Sequence, residues 1–439
     1  MQPTEAQILE YYRAHSGDYT KNGTLRPFDD VHEDVRQALA TERRTRAMVI
    51  AHEMAHMWFG DLVTMRWWDD IWLNEGFASW MEGRTTAKLH PEWHTDLEDV
   101  ASREGAMARD AVASTHPVVQ HVETVEQASQ AFDAITYSKG AAVIRMLERY
   151  VGSDAWRTGV RHYMRDHAYG NTVSDDFWRE VQTAAGKPII DIAHDFTLQP
   201  GVPLIRVDAA TCAKGSTTLQ LTQGEFTRDR PDKAPLSWRV PVIAQVPGHE
   251  PARTLVTGRK GTLVVPGCGA VVANAGQSGY YHSLYAPALF QTLREQFPHL
   301  ATIDQLGVMA DAWALGLAGL QPASDYLALV DATPAGLVLV DQAEVLVGRH
   351  GLRGRVQPVG QQGRIGPVHP QVGHRARPGV ELDPGPELVA LEQSILRHDP
   401  SLTSQTPVEA SAACPYPGLL AYDLGDAEAY FGRESDVDA

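Results

Sequence analysis

Two histidines one helical turn apart, His52 and His56, restrict the fold of this 439-residue chain more than any other feature. They belong to the pattern H-E-x-x-H, in a stretch of helical periodicity that runs from Val31 to Gly60, where Gly60 is expected to cap the helix. Residues four apart share one face of a helix, so both imidazoles can reach one metal ion. Glu53 lies beside them on that face, where its carboxylate can take a proton from a water molecule. The pattern therefore predicts a helix built around a catalytic metal.

A third ligand is required, because catalytic zinc sites use three protein ligands and keep one position open. Glu75 follows His56 after eighteen intervening residues and lies on a second predicted helix, Trp72 to Met81. Asp69 or Asp70 is expected to cap the start of that helix. A chance H-E-x-x-H in a chain of this length has a probability on the order of a few per cent. The helical context and the later Asn-Glu favour a metal site over a buried pair of hydrogen-bonded histidines.

Two further side chains could serve this site, and the residues alone leave both open. Glu82 shares a helix face with Glu75 and could orient a metal-binding histidine, or it could be a solvated surface glutamate. The phenol of Tyr137 could donate to a developing oxyanion, although its spacing alone favours a structural tyrosine. The five tryptophans around the motif fit the packing of two helices better than the wall of a substrate pocket: Trp58, Trp67, Trp68, Trp72 and Trp80.

Charge and cysteine content exclude several classes of protein. A formal net charge of −17 argues against nucleic acid or an anionic membrane as the partner of the whole chain. The three cysteines, Cys212, Cys268 and Cys414, are far apart and odd in number, so we expect reduced thiols and no disulfide framework. The N-terminal residues are too polar for a signal peptide, and no run of about 18 apolar residues occurs. These features predict a cytoplasmic protein.

The rest of the sequence predicts an α+β chain in several parts. Helical patterns continue to residue 200, and strands between Gly, Pro and Asp turns follow, which is typical of a small β-sandwich. The predicted strands are Val202 to Val207, Thr217 to Thr222, Trp238 to Val246 and Thr254 to Val265. Helical periodicity returns at Ala286, and between Val345 and Gly379 six arginines occur without any acidic residue, as in a poorly ordered linker.

We expect five parts along the chain. They are an N-terminal leader over 1–46, a catalytic domain over 47–200, a β-sandwich domain over 201–285, the start of a helical domain over 286–332, and a linker with an unrelated, largely disordered tail over 333–439. The helical segment at 286–332 is expected to be truncated.

The stretch HEMAHMWFGDLVTMRWWDDIWLNEGFASWME resembles the zinc-binding core of the aminopeptidase N family, which are gluzincin metallopeptidases. The segment Tyr137-Ser138-Lys139-Gly140 is similar to the Y-x-K-G segment of that family. The resemblance continues through FTLQPGVPLIRV and NAGQSGYYHSLY and fades near Val330, so it covers roughly residues 41 to 330.

The resemblance implies a thermolysin-like, mostly helical zinc-peptidase domain with one Zn²⁺ per chain, bound by His52, His56 and Glu75. Glu53 would be the general base, and Tyr137 would stabilise the tetrahedral intermediate. The implied function is a zinc-dependent aminopeptidase that hydrolyses the N-terminal residues of peptides. Two alternatives stay open: a catalytically impaired zinc-binding remnant that acts as an interaction module, and a gluzincin endopeptidase. The sequence defines neither the side-chain preference nor the oligomeric state.

The sequence departs from this family at both ends. Residues 1–46 contain no G-x-M-E-N loop, whose glutamate holds the α-amine of the substrate in the family, and are too short for the family's N-terminal β domain. Near the C-terminus, PELVALEQSILRHDPSL is similar to the end of a bacterial transcriptional activator domain, and CPYPGLLAYDLGDAEAYFGRESD resembles the lead-in to a signalling NTPase module. These departures favour the hypothesis of a fusion or a misassembled reading frame.

Overall fold

The computed structural model describes residues 3–21, 23–230 and 232–333. The first part of the chain is mostly helical. Its helices are α1 (Glu5–Ala14), α2 (Phe28–His56), α3 (Trp72–Leu89), α4 (Thr95–Asp110), α5 (Val125–Gln130), α6 (Gly140–Val151), α7 (Ser153–Asp166), α8 (Ser174–Ala185) and α9 (Ile190–Thr197). Its short strands are β1 (Thr20–Lys21), β2 (Thr24–Leu25), β3 (Val63–Met65) and β4 (Gly170–Thr172), of which β1 pairs with β2 and β3 with β4.

Aromatic side chains fill the core between α3, α7 and α8. The rings of Phe77 and Phe177 lie 4.6 Å apart, and those of Trp72 and Trp178 stack at 5.7 Å. Of the five tryptophans around the motif, Trp72 and Trp80 are buried, as expected for helix packing, while Trp58, Trp67 and Trp68 are half-buried. This burial of large apolar surface holds α3 in place, and α3 carries Glu75 in its first turn.

Helix α2 ends at His56, four residues before the predicted cap at Gly60, so that prediction was wrong. Gly60 has a φ of +138°, and a Cβ atom there would lie 3.2 Å from the carbonyl oxygen of His56. Gly60 therefore lies in the turn that follows the helix, where its positive φ is required, and is not the residue that ends the helix. The helix also crosses the predicted boundary between residues 46 and 47.

The predicted cap of α3 was also wrong. Ile71 precedes the helix and no side chain caps it, while Asp70 accepts a hydrogen bond from the hydroxyl of Ser174. Asp69 accepts instead from the backbone N–H of Val122, at 2.8 Å. Both carboxylates thus tie the segment before α3 to distant parts of the chain, which no local capping rule can reveal.

The β-region begins at Val202. Its strands are β5 (Val202–Ala213), β6 (Ser216–Phe226), β7 (Arg239–Ala244), β8 (Ala252–Thr257), β9 (Lys260–Pro266) and β10 (His282–Tyr285). Four of them form a sheet in the order β10-β5-β6-β9, in which β10 and β5 are parallel, while β7 and β8 form a separate antiparallel pair. The segment predicted as one strand, Thr254 to Val265, holds parts of two strands, because the chain turns at Gly258 with a φ of +73°.

Three helices follow the sheet: α10 (Pro287–Gln296), α11 (Thr302–Leu317) and α12 (Ala323–Asp331). The mixed α+β class, with a mostly helical first part and small sheets, is confirmed for the described residues. The five-part division of the chain stays a prediction, and the predicted linker and tail lie outside the described residues apart from Thr333. Among the described residues, every helix is too short or too polar to span a lipid bilayer.

Cys212 and Cys268 form a disulfide, so the expectation of reduced thiols was wrong for this pair. They are 56 residues apart in sequence, yet their Cα atoms are 5.6 Å apart. Cys212 pairs with Thr217 of β6, and Thr217 pairs with Val265 near the end of β9. The turn after β9 then carries Cys268 back across β6, because Gly267 donates to the carbonyl of Gly215 and accepts from the hydroxyl of Thr217. The spacing of cysteines in the sequence cannot show which strands will pair, so it could not predict this disulfide.

We expect Cys212→Ser to lower the free energy of unfolding by about 2–4 kcal/mol, because the cross-link restricts a long loop in the unfolded chain. Urea unfolding followed by circular dichroism measures this change, with Cys414→Ser as the matched control. Variants are preferable to a thiol reductant, which would also bind metal. An unchanged unfolding midpoint for Cys212→Ser would contradict the prediction.

Candidate metal centre

Three side chains from α2 and α3 converge on one point. The Nε2 atom of His52 lies 3.4 Å from Oε2 of Glu75, and Nε2 of His56 lies 3.6 Å from the same oxygen. One ligand atom from each of the three residues lies within 4.8 Å of the other two. Two neutral imidazoles and a carboxylate at such spacing match the donor set of catalytic zinc.

The Nδ1 atoms of both histidines make hydrogen bonds with other parts of the protein. Nδ1 of His52 lies 3.2 Å from a carboxylate oxygen of Glu82, and Nδ1 of His56 lies 3.1 Å from the backbone carbonyl of Phe59. Partners of this kind fix the orientation and tautomer of a metal-binding imidazole and leave Nε2 for the metal. Glu82 contacts His52, as expected for a residue that orients a metal-binding histidine and not for a solvated surface glutamate. The residues present therefore fit a zinc ion.

The neighbouring carboxylates raise the pKa values of both histidines. Hydrogen bonds with Glu75 and then Glu82 raise the pKa of His52 to about 9, against the opposing effect of burial. A hydrogen bond with Glu75 likewise raises the pKa of His56. Burial would raise the pKa of Glu75, but hydrogen bonds with His52, His56 and Tyr137 outweigh it and lower that pKa to about 2. Glu75 and Glu82 thus favour positive charge at the position that a metal cation would take.

Zinc binding is expected to strengthen as pH rises from 6.5 to about 9, because the metal must displace the proton from His52. The raised pKa of His52 stabilises the metal-free fold fully below 6.5, and this contribution is lost as pH rises through about 9. The lowered pKa of Glu75 stabilises the fold above 4.5, and that contribution is lost as pH falls through about 2. Titration calorimetry with chelator-buffered zinc at several pH values measures the affinity and the protons released. An affinity that does not change with pH would contradict the assignment of His52.

The two predicted catalytic side chains lie beside these three. Glu53 is exposed on α2 between the histidines. The ring of Tyr137 stacks on that of His52 with centroids 6.2 Å apart. Burial, followed by the charge of Glu75 and a smaller effect of Glu53, raises the pKa of Tyr137 well above its usual value. Its phenol therefore keeps its proton at neutral pH and can donate a hydrogen bond.

Close helix packing positions Tyr137. The residue lies in a π-helical turn, Ile135–Lys139, that leads directly into α6. A Cβ atom on Gly76 of α3 would lie 3.3 Å from the Cα atom of Gly140 and from the carbonyl oxygen of Thr136. A side chain at Gly76 would force the two backbones apart by a few tenths of an ångström, so the glycine favours close packing of the Tyr137 turn against the helix that carries Glu75.

Sequence reasoning missed the buried ion pair behind this turn. Nζ of Lys139 lies 2.7 Å from Oδ2 of Asp110, and neither side chain is exposed. Asp110 also accepts hydrogen bonds from the hydroxyls of Tyr280 and Thr115 and from the backbone N–H of Gly201. Removing one partner of such a network leaves a buried charge unpaired, so the network fixes the turn. The available signal was the lone lysine in the apolar stretch after Tyr137, which gives no clue to its partner.

The three converging side chains form a candidate metal centre, and parts of the chain are similar to known peptidases. Residues 29–196 match the model of the peptidase family M1 domain, and residues 270–336 match that of the ERAP1-like C-terminal domain. Residues 29–196 are therefore similar to a peptidase family M1 domain. Neither match reaches the residues that resemble an activator or NTPase fragment, so that resemblance gains no support.

Similar proteins include the tricorn protease-interacting factor F2 of Thermoplasma acidophilum, 32% identical over 292 residues. Aminopeptidase M1 of Arabidopsis thaliana is 31% identical over 319 residues, and leucyl aminopeptidase of Saccharolobus solfataricus is 32% identical over 277 residues. These alignments cover 66%, 68% and 62% of this chain, respectively, but only 35%, 36% and 34% of the relatives. The chain thus spans about a third of the length of the curated relatives it matches.

Proposed function

We propose that this chain binds one Zn²⁺ through His52, His56 and Glu75 and hydrolyses the N-terminal peptide bond of peptides with a free amino end. The convergence of both Nε2 atoms on one oxygen of Glu75 carries the metal assignment. Two relatives that are named aminopeptidases support the reaction type. The bound ion would supply positive charge that polarises the scissile carbonyl and makes water more acidic.

The side chains of the chain itself would carry the protons and the developing charge. Glu53 is exposed beside the site and would accept the proton of the attacking water, then return it to the leaving amine. Tyr137 keeps its proton and would donate a hydrogen bond to the oxygen of the former carbonyl. Glu82 and the carbonyl of Phe59 would hold the two imidazoles in place.

The deciding experiment measures zinc content together with hydrolysis of two substrates, an aminoacyl p-nitroanilide and an N-acetylated peptide. Stoichiometric zinc with cleavage of the free-amine substrate supports the aminopeptidase. Cleavage of the N-acetylated peptide instead would identify an endopeptidase. Zinc without turnover of either substrate would identify a remnant, and absence of zinc would overturn the site.

Peptides are the proposed partners, and no nucleic acid is expected for the catalytic part. The cytoplasmic location stays a prediction. The Cys212–Cys268 disulfide argues in the opposite direction, because such bonds persist mainly in oxidising compartments.

A further inference from the structure

A cavity of about 220 Å³ lies between helices α4 and α11, apart from the candidate metal centre. Small residues on one face of each helix line it, namely Ala101, Gly105 and Ala108 on α4 and Ala310 and Ala314 on α11. They recur at spacings of three and four residues, so they form one stripe on each helix and leave a slot between them. The volume is below that of pockets for drug-sized ligands, about 300–1,000 Å³, and is suited to a smaller molecule.

Buried polar groups line this cavity. His282 is 1% exposed, and its Nδ1 atom lies 2.8 Å from Asp311 and 3.9 Å from Oε2 of Glu104. Glu104 is 8% exposed and binds Arg103 through its other oxygen, Oε1, at 2.6 Å. Nδ1 of His282 faces Asp311, and no hydrogen bond to Nε2 is found within the described part of the chain. Oε2 of Glu104 likewise has no close hydrogen-bond donor, so it is a buried acceptor that is left for a ligand.

A positive charge and two aromatic rings complete the cavity. Arg228 is exposed at its edge, and its guanidinium has no ion-pair partner among the described residues. Phe226 is buried with its ring 4.4 Å from that of His282, and Trp313 of α11 is half-buried. The cavity therefore combines a buried acceptor, apolar walls and a cation in a small volume.

We propose that this cavity binds a free α-amino acid with an apolar side chain. The ammonium group would donate to Glu104, the carboxylate would pair with Arg228, and the side chain would pack on Phe226 and Trp313. An ammonium group, a carboxylate and an apolar side chain match these three parts one to one. The proposal concerns binding alone and does not depend on the proposed peptidase activity.

Titration calorimetry on the full chain tests the proposal with L-leucine and two analogues that each lack one charge. 4-Methylpentanoate lacks the amine, and isoamylamine lacks the carboxylate. We expect saturable binding of one leucine per chain and at least about tenfold weaker binding of each analogue, because each loses charge-assisted hydrogen bonds. Analogues probe the amine end because replacing Glu104 would leave the buried Arg103 unpaired and could unfold the protein.

Two variants locate the ligand. Arg228→Ala is expected to weaken leucine binding about tenfold or more, and Arg259→Ala, an exposed arginine outside the cavity, should leave it unchanged. Gly105→Leu fills the slot, since a Cβ atom at Gly105 would meet no atom within 4 Å, and should abolish binding while the fold is kept. The fold is checked by circular dichroism.

Leucine could instead bind at the metal centre, and His56→Ala separates the two sites. Binding that survives His56→Ala but is lost in Arg228→Ala and Gly105→Leu supports the cavity. Binding that is lost in His56→Ala and kept in the two cavity variants overturns the proposal, as does an absence of leucine binding to the folded protein.

Discussion

Glu53→Gln is expected to lower the turnover of an aminoacyl substrate by about 10²–10⁴-fold while zinc content stays unchanged. The amide has nearly the shape of the carboxylate, and Glu53 is absent from the group of three side chains that converges on the metal position. The substitution therefore removes the base without removing a ligand. Because Glu53 is exposed on α2, the change should leave the packing of the helix intact.

The matched control is Glu33→Gln, an exposed glutamate on the same helix that pairs with Arg36 at the surface. Exposed pairs contribute little to stability, so this variant should keep both zinc and activity. Zinc content is measured by atomic emission and turnover by release of p-nitroaniline. Full turnover in Glu53→Gln would exclude the residue as the base. A simultaneous loss of zinc would place it among the ligands.

His56→Ala is expected to abolish stoichiometric zinc, with an affinity at least about 100-fold weaker. Replacing even an orienting partner of a ligand typically costs about 10–100-fold in affinity, and the loss of a ligand itself should cost more. Only His52 and Glu75 would remain of the three converging side chains. Two protein ligands do not satisfy the coordination of a catalytic zinc site.

His121→Ala is the matched control, because His121 is a surface histidine that contacts Asp69 and Glu123 and lies outside the converging group. It should retain one zinc per chain. Equilibrium dialysis against chelator-buffered zinc, followed by metal analysis, compares the two variants with the original chain. Full retention of zinc by His56→Ala would refute the site assignment.

Local sequence rules worked where a single helix sets the geometry. His52 and His56 are four residues apart, and helical periodicity alone places both on one face. The same rules failed at the ends of helices: α2 ends at His56 and not at Gly60, and neither Asp69 nor Asp70 caps α3. Before α3, contacts with the remote residues Ser174 and Val122 took the place of the predicted cap.

The disulfide is a second feature that local sequence rules could not predict. Cys212 and Cys268 are 56 residues apart, and only the pairing of β5, β6 and β9 brings them together. The register of a sheet depends on which strands meet, and spacing in the sequence does not encode that choice directly.

The sequence by itself determined the chemical identity of the candidate site, because the motif and the spacing to Glu75 restrict the donors to two imidazoles and a carboxylate. The tertiary structure alone decided how that site is assembled. The close contact of Gly76 with Gly140 brings the turn of Tyr137 against α3, and the buried pair of Lys139 and Asp110 fixes it there. Local periodicity acts through neighbouring residues, whereas these contacts join parts of the chain that are tens of residues apart, so only the folded packing specifies them.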